Sequence, residues 1–400
     1  MLGLYIGIIL LLNIPYVQHR MSVLVAKGLS TVLGSELTVG RINIGLLNRI
    51  IIDDLVLNDQ SGKELLKIGR LSAKFEILPL FSGKISIGNV QLFSFNANLE
   101  RPTPQASTNF QFVLDAFASK DTVKKKSNLD LRINSLLIRR GKVSYDVLSA
   151  ESTPGKFNPQ HIRLSNILAN ISLKALQNDS VNAAIKRMSV EEEHSGFELK
   201  KLSLKIIAND RKMRIENFAI DLPNTSLAMD TIRMEYDSLE SLGHFTDDVR
   251  FSFRMLPSEV ALQDISAFVP AFKPFKEKLK LEMEAAGTVN RLNCPKLLIS
   301  SNDHFLLKGN VSLQDLSHPQ DAYIFGNLSN LYADPDGIAF FVRNLSKDYK
   351  GVPPVLQNLG TVSFRGEISG YFTDLVTYGE VRTDIGTIKT DVKLSSDKDK

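Results

Sequence analysis

Short runs in which apolar and polar residues alternate extend from Glu36 almost to the end of this chain. Residues 84–100 (KISIGNVQLFSFNANLE) and 129–147 (LDLRINSLLIRRGKVSYDV) are two examples. Side chains of a strand alternate between its two faces, so this period predicts half-buried antiparallel strands with one apolar side. We count about twenty such runs, against about ten strands in a large open sheet. The predicted fold class is mainly β: an elongated, curled antiparallel sheet that forms a groove, with a few short amphipathic helices.

Three helices are predicted within this strand-rich region. The first covers residues 107–119, where apolar residues recur at the helical spacing. The second begins at Ser258 and carries apolar residues at the same spacing until two prolines end or kink it. The third begins with Asp334 as its N-cap and extends to about Leu345.

The first seventeen residues, MLGLYIGIILLLNIPYV, carry no charge, and helical periodicity continues from there to Gly34. Such a segment is either a cleaved secretory signal or an uncleaved anchor, about 25 Å long as a helix and at the short end of what crosses a bilayer. A signal peptide has a basic start and a small-x-small cleavage site, and neither is present. The nearby charges Arg20 and Lys27 follow the segment and leave its orientation open. We predict a membrane anchor formed by Leu2, Leu4, Ile6, Ile8, Ile9, Leu10, Leu11 and Leu12.

The charge balance and the single cysteine exclude two classes of protein. With 48 basic and 44 acidic residues the formal net charge is 48 − 44 = +4, too even for a typical nucleic-acid-binding protein. Cys294 is the only cysteine, so an internal disulfide framework is excluded.

Residue types that carry out catalysis or bind metal ions are scattered along the chain. Its six histidines lie far apart, and the motifs of zinc proteases, phosphate-binding loops and serine hydrolases are missing. The run Glu191-Glu192-Glu193-His194 is interpreted as a solvated loop rather than a metal site, because consecutive side chains point in different directions. The run Asp334-x-Asp336-Gly337 is interpreted as a helix cap rather than a calcium loop. We predict no catalytic residue, no metal site, no cofactor and no enzymatic activity.

The apolar side of the predicted sheet must be buried against something. It can close on itself, stack on a second sheet, or curl around an apolar ligand, and about twenty strands would then form a trough of about 100 Å. Such a trough would shield lipid tails, whose exposure to water costs about 0.8 kcal/mol per CH₂. The alternative is that the same residues fill an ordinary sheet-on-sheet core. Candidates for the lipid groove, chosen by strand parity, are Ile85, Ile87, Ile133, Leu202, Leu204, Phe251, Phe253, Val311, Leu313 and Phe364.

Two long segments carry a family resemblance. Residues 37–59 contain a G-x-I-x-I strand and an apolar strand that ends at Asp59, and residues 65–101 contain L-P-L followed by G-x-I-x-I-x-x-V-x-L. In this order after an anchor helix, they resemble the amino-terminal part of the TamB and AsmA-like family, to which the eukaryotic bridge-like lipid transfer proteins are similar in having a groove. The segment from Phe268 to Val289 resembles the middle repeats of that family.

The resemblance implies an inner-membrane protein with a single membrane pass and most of its chain in the periplasm. It implies phospholipid transport toward the outer membrane through the groove, with phospholipids and the inner membrane as partners, an outer-membrane barrel partner similar to TamA, and no nucleic acid. The chain would be an amino-terminal portion of a longer protein. The predicted segments are 1–34 (anchor and helical extension), 35–105 (the family's N-terminal β-region), 106–128 (helix and basic loop), 129–257 (extended β-groove) and 258–400 (helix-punctuated, truncated continuation of the groove).

Two further functions are compatible with a strand-rich chain. A scaffold or chaperone for the assembly of outer-membrane β-barrel proteins would act through exposed strand edges rather than through an apolar face. A porin would carry charge-free lipid-facing positions and girdles of interfacial aromatic residues, whereas this chain has no tryptophan. The lipid groove is the preferred prediction, and the assembly scaffold is the alternative.

Overall fold

The computed structural model describes residues 7, 10–45, 48–76, 85–117, 129–130, 134–177, 180–275, 277–301, 303–318, 321–345, 351–371 and 374–395. Within these residues the protein is mainly β, and nineteen strands belong to a mainly antiparallel sheet that is not closed. The prediction of a mainly β chain with antiparallel pairing is confirmed at this level.

The strands are short and follow one another closely along the chain. They are β1 (Leu37–Gly45), β2 (Arg49–Asn58), β3 (Glu64–Glu76), β4 (Ile85–Arg101), β5 (Leu129–Asp130), β6 (Ser135–Val147), β7 (His161–Gln177), β8 (Ser180–Glu192), β9 (Phe197–Asn209), β10 (Lys212–Asp221), β11 (Ser226–Glu235), β12 (Arg250–Ala261), β13 (Lys278–Thr288), β14 (Arg291–Ser301), β15 (Phe305–Gln314), β16 (Tyr323–Ala333), β17 (Val362–Tyr371), β18 (Asp374–Thr383) and β19 (Gly386–Ser395).

Helices are few and stand between strands. They are α1 (Pro15–Leu33), α2 (Gln111–Phe117), α3 (Phe245–Asp248), α4 (Pro335–Leu345) and α5 (Pro354–Gln357), with 3₁₀ turns at Leu239–His244, Leu262–Ile265 and Pro270–Phe272.

The chain divides into two compact units. Unit 1 consists of Met1–Lys174 with Ala183–Lys201, and unit 2 consists of Ala175–Asn182 with Leu202–Lys400. This division falls within the predicted segment 129–257.

The unit 1 sheet begins as a meander and contains one crossover. Strands β1 to β4 pair antiparallel in chain order, and β6 pairs antiparallel with β7. Strand β4, however, pairs parallel with β5 and β6. A parallel pair needs a connection of a dozen or more residues, and the segment 102–134, which contains α2, provides it. The expectation of antiparallel strands therefore fails at this one place among the described strands.

Unit 2 is an uninterrupted antiparallel meander from β10 to β19. Each strand pairs with the next one in the chain. Such pairing needs only short connections, and the three helices of this unit stand in the longer ones. The register of these strands places apolar positions beside apolar positions of the next strand, as Leu281 beside Ile299 and Leu307 beside Leu331.

Three-residue steps interrupt the two-residue period of apolar side chains in both units. In unit 1, Leu37 and Ile42 of β1 are both buried although they are an odd number of residues apart. In unit 2, Met229 and Ile232 of β11 pair with residues of β12 that are only two apart, which defines a β-bulge. A bulge bends its strand and shifts the alternation by one residue, so apolar residues on both sides of it stay on one face.

Several of these steps contain a residue with left-handed backbone conformation. Asp54 in β2, Ser94 in β4, Arg140 in β6 and Asn217 in β10 have φ values of 56°, 53°, 55° and 54°. For residues other than glycine this region is uncommon, and asparagine and aspartate tolerate it best. The steps are therefore built into the backbone of each strand.

Helix α1 belongs to the core of unit 1. Its last residue, Leu33, lies in a buried cluster with Leu37, Leu57 and Leu65, against which residues of α1 and α2 also pack. Gly34 ends the helix with a left-handed φ of 64°, as the sequence predicts.

Polar side chains of the α1 region cover the outer edge of β1. The Ser30 hydroxyl accepts a hydrogen bond from Leu37 N–H (2.9 Å) and donates one to Leu37 C=O (3.3 Å). The side-chain amide of Asn13 donates to Ile44 C=O (2.8 Å), and that of Gln18 donates to Asn43 Oδ1 (2.5 Å). Ser30 and Asn13 thus satisfy backbone groups that an edge strand otherwise leaves open.

The predicted membrane anchor is wrong. Among the described residues, the structure contains no helix that combines the length and the apolar character needed to cross a bilayer. The inner-membrane, single-pass localisation, with the bulk of the chain in the periplasm, fails with it. The helix that follows the predicted anchor residues, α1, buries the polar side chains of Gln18 and Ser22, and Gln18 bonds to Asn43 of β1, which suits packing on the sheet and not a bilayer core. Of the predicted anchor residues, Leu2, Leu4, Ile6, Ile8 and Ile9 lie outside the described residues, Leu10 and Leu11 are exposed, and Leu12 is half-buried.

The helix predicted from Ser258 is also wrong. Strand β12 continues to Ala261, and two 3₁₀ turns follow it. The Ser258 hydroxyl accepts a hydrogen bond from Ala228 N–H (3.1 Å), and Thr225 Oγ1 accepts one from Ala261 N–H (3.0 Å). These contacts with the neighbouring strand outweigh the helical spacing of the apolar residues that follow.

The other two predicted helices are present. Helix α2 lies within residues 107–119, and α4 begins at Pro335. Asp334 caps α4, because its Oδ1 accepts a hydrogen bond from Gly337 N–H (2.8 Å).

Replacing Gly141 by alanine tests the packing of unit 1. A methyl group at position 141 in β6 would lie 2.3 Å from Phe95 Cε1, so the ring must move. We expect Gly141→Ala to lower the free energy of unfolding by about 1–3 kcal/mol. Gly45→Ala is the matched control, because its methyl group would be 3.6 Å from the nearest atom. Urea unfolding followed by circular dichroism measures both, and equal stability of the two variants would contradict the packing.

A second prediction concerns the pH dependence of unit 1. His161 Nδ1 lies 2.8 Å from Asp146 Oδ1, and His161 Nε2 lies 3.0 Å from Ala150 C=O. The Asp146 carboxylate, followed by the carbonyl, raises the pKa of His161 above 6.5. The stabilisation is therefore complete below about pH 6.5 and is lost as the pH rises through the raised pKa.

The measurement is the unfolding free energy of the wild type and of His161→Gln between about pH 5 and about pH 9. Their difference should shrink as the pH rises. A difference that is constant over this range would contradict the account.

Candidate functional site

The strand register of unit 2 places most of its apolar side chains on one face of the sheet. Paired residues of neighbouring strands share a face, so rows of side chains can be followed across the unit. One row runs from Leu281 through Ile299, Leu307 and Leu331 to Phe364. We call this side the apolar face. Its large members are Met213, Ile215, Phe218, Leu227, Met229, Ile232, Met234, Phe251, Phe253, Met255, Leu281, Met283, Leu292, Leu297, Ile299, Phe305, Leu307, Val311, Leu313, Ile324, Leu328, Leu331, Phe364, Ile368, Leu375, Val381, Ile388 and Val392.

The opposite side of the same strands carries charges. Arg254 Nη2 lies 2.6 Å from Asp230 Oδ2, and Lys296 Nζ lies 3.1 Å from Glu282 Oε2. These pairs are exposed to solvent and contribute little to stability. They show that the unit 2 sheet is amphipathic, with one face suited to water and one to apolar material.

Most side chains of the apolar face are only half-buried. Ile232, Met255, Phe305, Val311, Leu328 and Phe364 are below a tenth exposed, whereas most of the other large members of the face are half-buried. Side chains of a single sheet cover one another only sideways, and full burial needs a second layer. In the part of unit 2 that the structure describes, the helices meet the ends of strands instead.

Both ends of the strands carry aromatic contacts to these helices. At one end, Phe245 of α3 stacks on Phe251, with ring centroids 6.2 Å apart, and Phe251 stacks on Phe253 at 6.1 Å. At the other end, Phe340 of α4 meets Phe275 edge to face at 6.1 Å. Phe251 and Phe253 are themselves members of the apolar face, whereas Phe275 lies in the connection before β13.

Methionine is concentrated on this face. Five of the eight methionines lie there, on strands β10 to β13: Met213, Met229, Met234, Met255 and Met283. Methionine is flexible and adapts to ligands of different shape. Cys294 lies beside Met283, with Sγ 3.9 Å from Sδ, and burial raises the pKa of its thiol, which makes it an unreactive filler.

In unit 1, helices cover the apolar side of the sheet. The cluster of Leu33, Leu37, Leu57 and Leu65 is covered by α1 and α2, and this part of the sheet is an ordinary helix-on-sheet core. The sheet-on-sheet alternative does not describe this cluster, which contains none of the predicted groove residues.

Two groups of polar side chains have local structural roles. Glu192 is 3% exposed, and it accepts hydrogen bonds from the Ser195 hydroxyl (2.5 Å) and from backbone N–H of Ser195 (2.7 Å) and Arg163 (3.1 Å). Burial alone would raise its pKa, but these hydrogen bonds hold the pKa below the usual value. The interpretation of residues 191–194 as a solvated loop is wrong for this residue, which organises the turn after β8.

The second group lies at the start of α4. His304 Nδ1 is 2.7 Å from Asp334 Oδ2 and 3.9 Å from Asp336 Oδ2, an arrangement whose ligand atoms could hold a cation. Both oxygens of Asp334 already have partners, in His304 and in the capping contact with Gly337. The helix cap accounts for the group.

Unit 1 also contains a polar cavity of about 700 Å³. Arg41, Asp53, Arg70, Ser94 and Arg140 are among the residues that line it, and Arg70 Nε is 2.6 Å from Asp53 Oδ1. The cavity follows the line of left-handed residues across the strands. It is lined by charged side chains and does not suit an apolar ligand.

The structure places the predicted groove residues as follows. Phe251, Phe253, Val311, Leu313 and Phe364 all lie on the apolar face of unit 2. Leu202 and Leu204 of β9 are half-buried and alternate with Lys205, which bonds to Glu216 (2.8 Å), so they face away from that charged side. Ile85 and Ile87 lie in β4, where Ile87 pairs with Phe75, and Ile133 lies outside the described residues.

Strand parity in the sequence does not identify many residues of the apolar face. Met229, Met255 and Met283 form one row across three strands, but each lies next to a bulge or in a run with irregular parity. Strand parity alone assigns such residues to the wrong side. A three-residue step with Asn or Asp inside it, as at Asn217, was the available signal.

Comparison with protein-family models, with characterised proteins and with solved structures gives no match. The resemblance to the TamB and AsmA-like family, and the partners that it implies, stay predictions from the residues quoted above.

Replacing Phe364 by alanine tests how much this side chain contributes to the stability of the fold. Its ring lies against Gly366 and Gly379, where added methyl groups would be 2.9 Å and 2.7 Å from ring atoms. We expect Phe364→Ala to lower the free energy of unfolding by about 3 kcal/mol. Phe325→Ala is the control, because Phe325 lies on the opposite face and is 42% exposed. Equal losses in the two variants, measured by urea unfolding, would show that the two faces are not differently packed.

Proposed function

We propose that this protein is a lipid-binding and lipid-transfer protein, whose unit 2 holds phospholipid acyl chains on the apolar face of its sheet. The observation that carries the proposal is the continuity of this face over ten consecutive strands, with half-buried side chains on it and ion pairs behind it. Monomeric proteins rarely expose apolar patches larger than about 300–600 Å² unless the patch binds something.

Acyl chains suit this face because it is apolar and because its side chains can adapt to ligands of different shape. Each CH₂ removed from water gains about 0.8 kcal/mol, and no directional contact is required. The methionine-rich rows at β10 to β13 and the aliphatic rows at β14 to β17 offer contact without polar groups. A sheet that curls around the chains would leave the headgroup in water, and the bulges supply the bending of the strands.

A bound acyl chain can also move along the sheet, because the apolar face is similar from strand to strand. A ligand held by many equivalent weak contacts has no single deep binding position, so it can shift from one strand to the next without a large barrier. The proposed function involves no bond making or breaking, and the protein is not proposed to be an enzyme.

Two adjacent leucines of β15 allow a matched test. Leu307 lies on the apolar face between Ile299 and Leu331, whereas Leu306 lies on the other face between Ser300 and Tyr332, and both are half-buried. We expect Leu307→Arg to slow transfer of a fluorescent phospholipid between vesicles by about tenfold, because it places a charge among the chains. Leu306→Arg should transfer at nearly the wild-type rate.

Circular dichroism and urea unfolding of both variants show whether each one folds. If Leu307→Arg fails to fold, the same question is asked with a photo-crosslinking side chain at each position and phospholipid vesicles as the probe. Equal transfer by the two variants, or equal lipid capture at the two positions, would refute lipid binding on this face.

A further inference from the structure

The outer face of the unit 1 sheet carries a row of polar residues across five neighbouring strands, β1 to β4 and β6. The register between each two neighbours among these strands is interrupted near its middle. The residues at the interruptions are Gly40, Asp54, Gly69, Ser94 and Arg140, and the last two and Asp54 have left-handed φ values. Each interruption shifts the alternation by one residue, so two consecutive residues of every strand lie on the face away from the core.

Strand β6 illustrates this arrangement. Ile138 and Gly141 lie on the core side of the sheet, and the two residues between them, Arg139 and Arg140, are exposed. The other four strands contribute the pairs Gly40-Arg41, Asp53-Asp54, Gly69-Arg70 and Phe93-Ser94. We call these ten residues the polar stripe. All of them except Arg139 line the cavity of about 700 Å³.

The charges of the polar stripe are unevenly distributed. Its four arginines and two aspartates carry a net charge of 4 − 2 = +2. Both aspartates belong to β2, where Asp53 Oδ1 accepts a hydrogen bond from Arg70 Nε (2.6 Å). Arg140 lies three strands away from β2, about 14 Å at the usual strand spacing. Its guanidinium makes no hydrogen bond or ion pair within the part of the chain that the structure describes, so the protein does not neutralise this charge.

Three more side chains lie near Arg140 on β3, β4 and β6. The guanidinium of Arg139 lies over the ring of Phe93, 6.0 Å from its centroid. Ser94 stands beside Arg140 at the same interruption and is exposed. Arg70 bonds to Asp53 through Nε, which leaves its two Nη groups for another acceptor. We call this part of the polar stripe the arginine end, and it consists of Arg70, Ser94, Arg139 and Arg140.

We propose that the arginine end binds the phosphate group of a phosphate ester. Arginine holds phosphate through two parallel N–H···O bonds, which a lysine cannot reproduce. Three guanidinium groups and one hydroxyl offer more donors than the two oxygens of a carboxylate can accept, and they suit the three oxygens that a phosphate presents. The site belongs to unit 1 and does not depend on lipid binding by unit 2.

The rest of the ligand lies along the polar stripe toward β2. Gly69 keeps this path open, since even a methyl group at this position would be 3.3 Å from Ser94 Cβ. The Asp54 carboxylate has no hydrogen-bond partner among the described residues and accepts hydrogen bonds from hydroxyl groups. The ligand class is therefore the phosphate ester of a hydroxyl-bearing alcohol. Such an ester exists as a soluble molecule and as the headgroup of a phospholipid.

Replacing Arg140 by asparagine tests the site in the full chain, with glycerol 3-phosphate as the probe. Asparagine tolerates the left-handed conformation of position 140, so the strand is retained. Isothermal titration calorimetry should give a dissociation constant about tenfold higher for Arg140→Asn than for the wild type. Arg163→Asn is the matched control, because Arg163 is an exposed arginine of β7 that does not line the cavity. Its affinity should equal that of the wild type.

Vesicles of phosphatidylglycerol distinguish the two sources of the phosphate ester. If the ligand is a lipid headgroup, Arg140→Asn should also lower the fraction of protein that floats with the vesicles, and Arg163→Asn should not. If the ligand is a soluble ester, all three proteins should float equally and only the affinity for glycerol 3-phosphate should fall.

Circular dichroism checks the folding of each variant. If Arg140→Asn does not fold, Arg140→Lys takes its place, because it keeps the charge but loses the planar fork and should weaken binding about threefold. A wild type that binds neither glycerol 3-phosphate nor vesicles would overturn the proposal. So would equal losses at positions 140 and 163, or a change at position 140 that alters neither measurement.

Discussion

A sheet with one apolar face needs something that covers that face. The rest of this structure depends on how each unit meets that need. Backbone hydrogen bonds hold the strands together, but they do not bury the side chains on the faces of the sheet. The register of unit 2 collects the apolar side chains of ten strands on one face and the ion pairs on the other. Pairing alone therefore produces a surface that water solvates poorly, and something other than the strands themselves must cover it.

The two units meet this requirement in different ways. Unit 1 uses its own helices: α1 and α2 pack on Leu37, Leu57 and Leu65, and polar groups of α1 also cover the edge of β1. Unit 2 places its helices at strand ends, where Phe245 and Phe340 make aromatic contacts, and its face stays half-buried. The first arrangement is a finished core. The second is a surface for a ligand, which is the basis of the proposed lipid binding.

Local sequence predicted the strands well and the long-range contacts poorly. Alternation identified strand after strand, and Asp334 with Pro335 identified α4, because both signals depend on neighbouring residues. The apolar N-terminus suggested a bilayer anchor, since hydropathy does not reveal that Gln18 reaches Asn43. The spacing after Ser258 suggested a helix, since it does not reveal that Thr225 pairs with Ala261. Near Asn217, side chains can be assigned to the correct face only from the left-handed backbone conformation of that residue, which strand parity does not reveal.

The central claim is that one face of unit 2 contacts acyl chains and the other does not. A scan of photo-crosslinking side chains along β15, with phospholipid vesicles and mass spectrometry of the products, measures this directly. We predict lipid adducts at positions 307, 311 and 313, which lie on the apolar face, and none at 306, 308 and 312. Adducts at both sets of positions, or at neither, would contradict the claim.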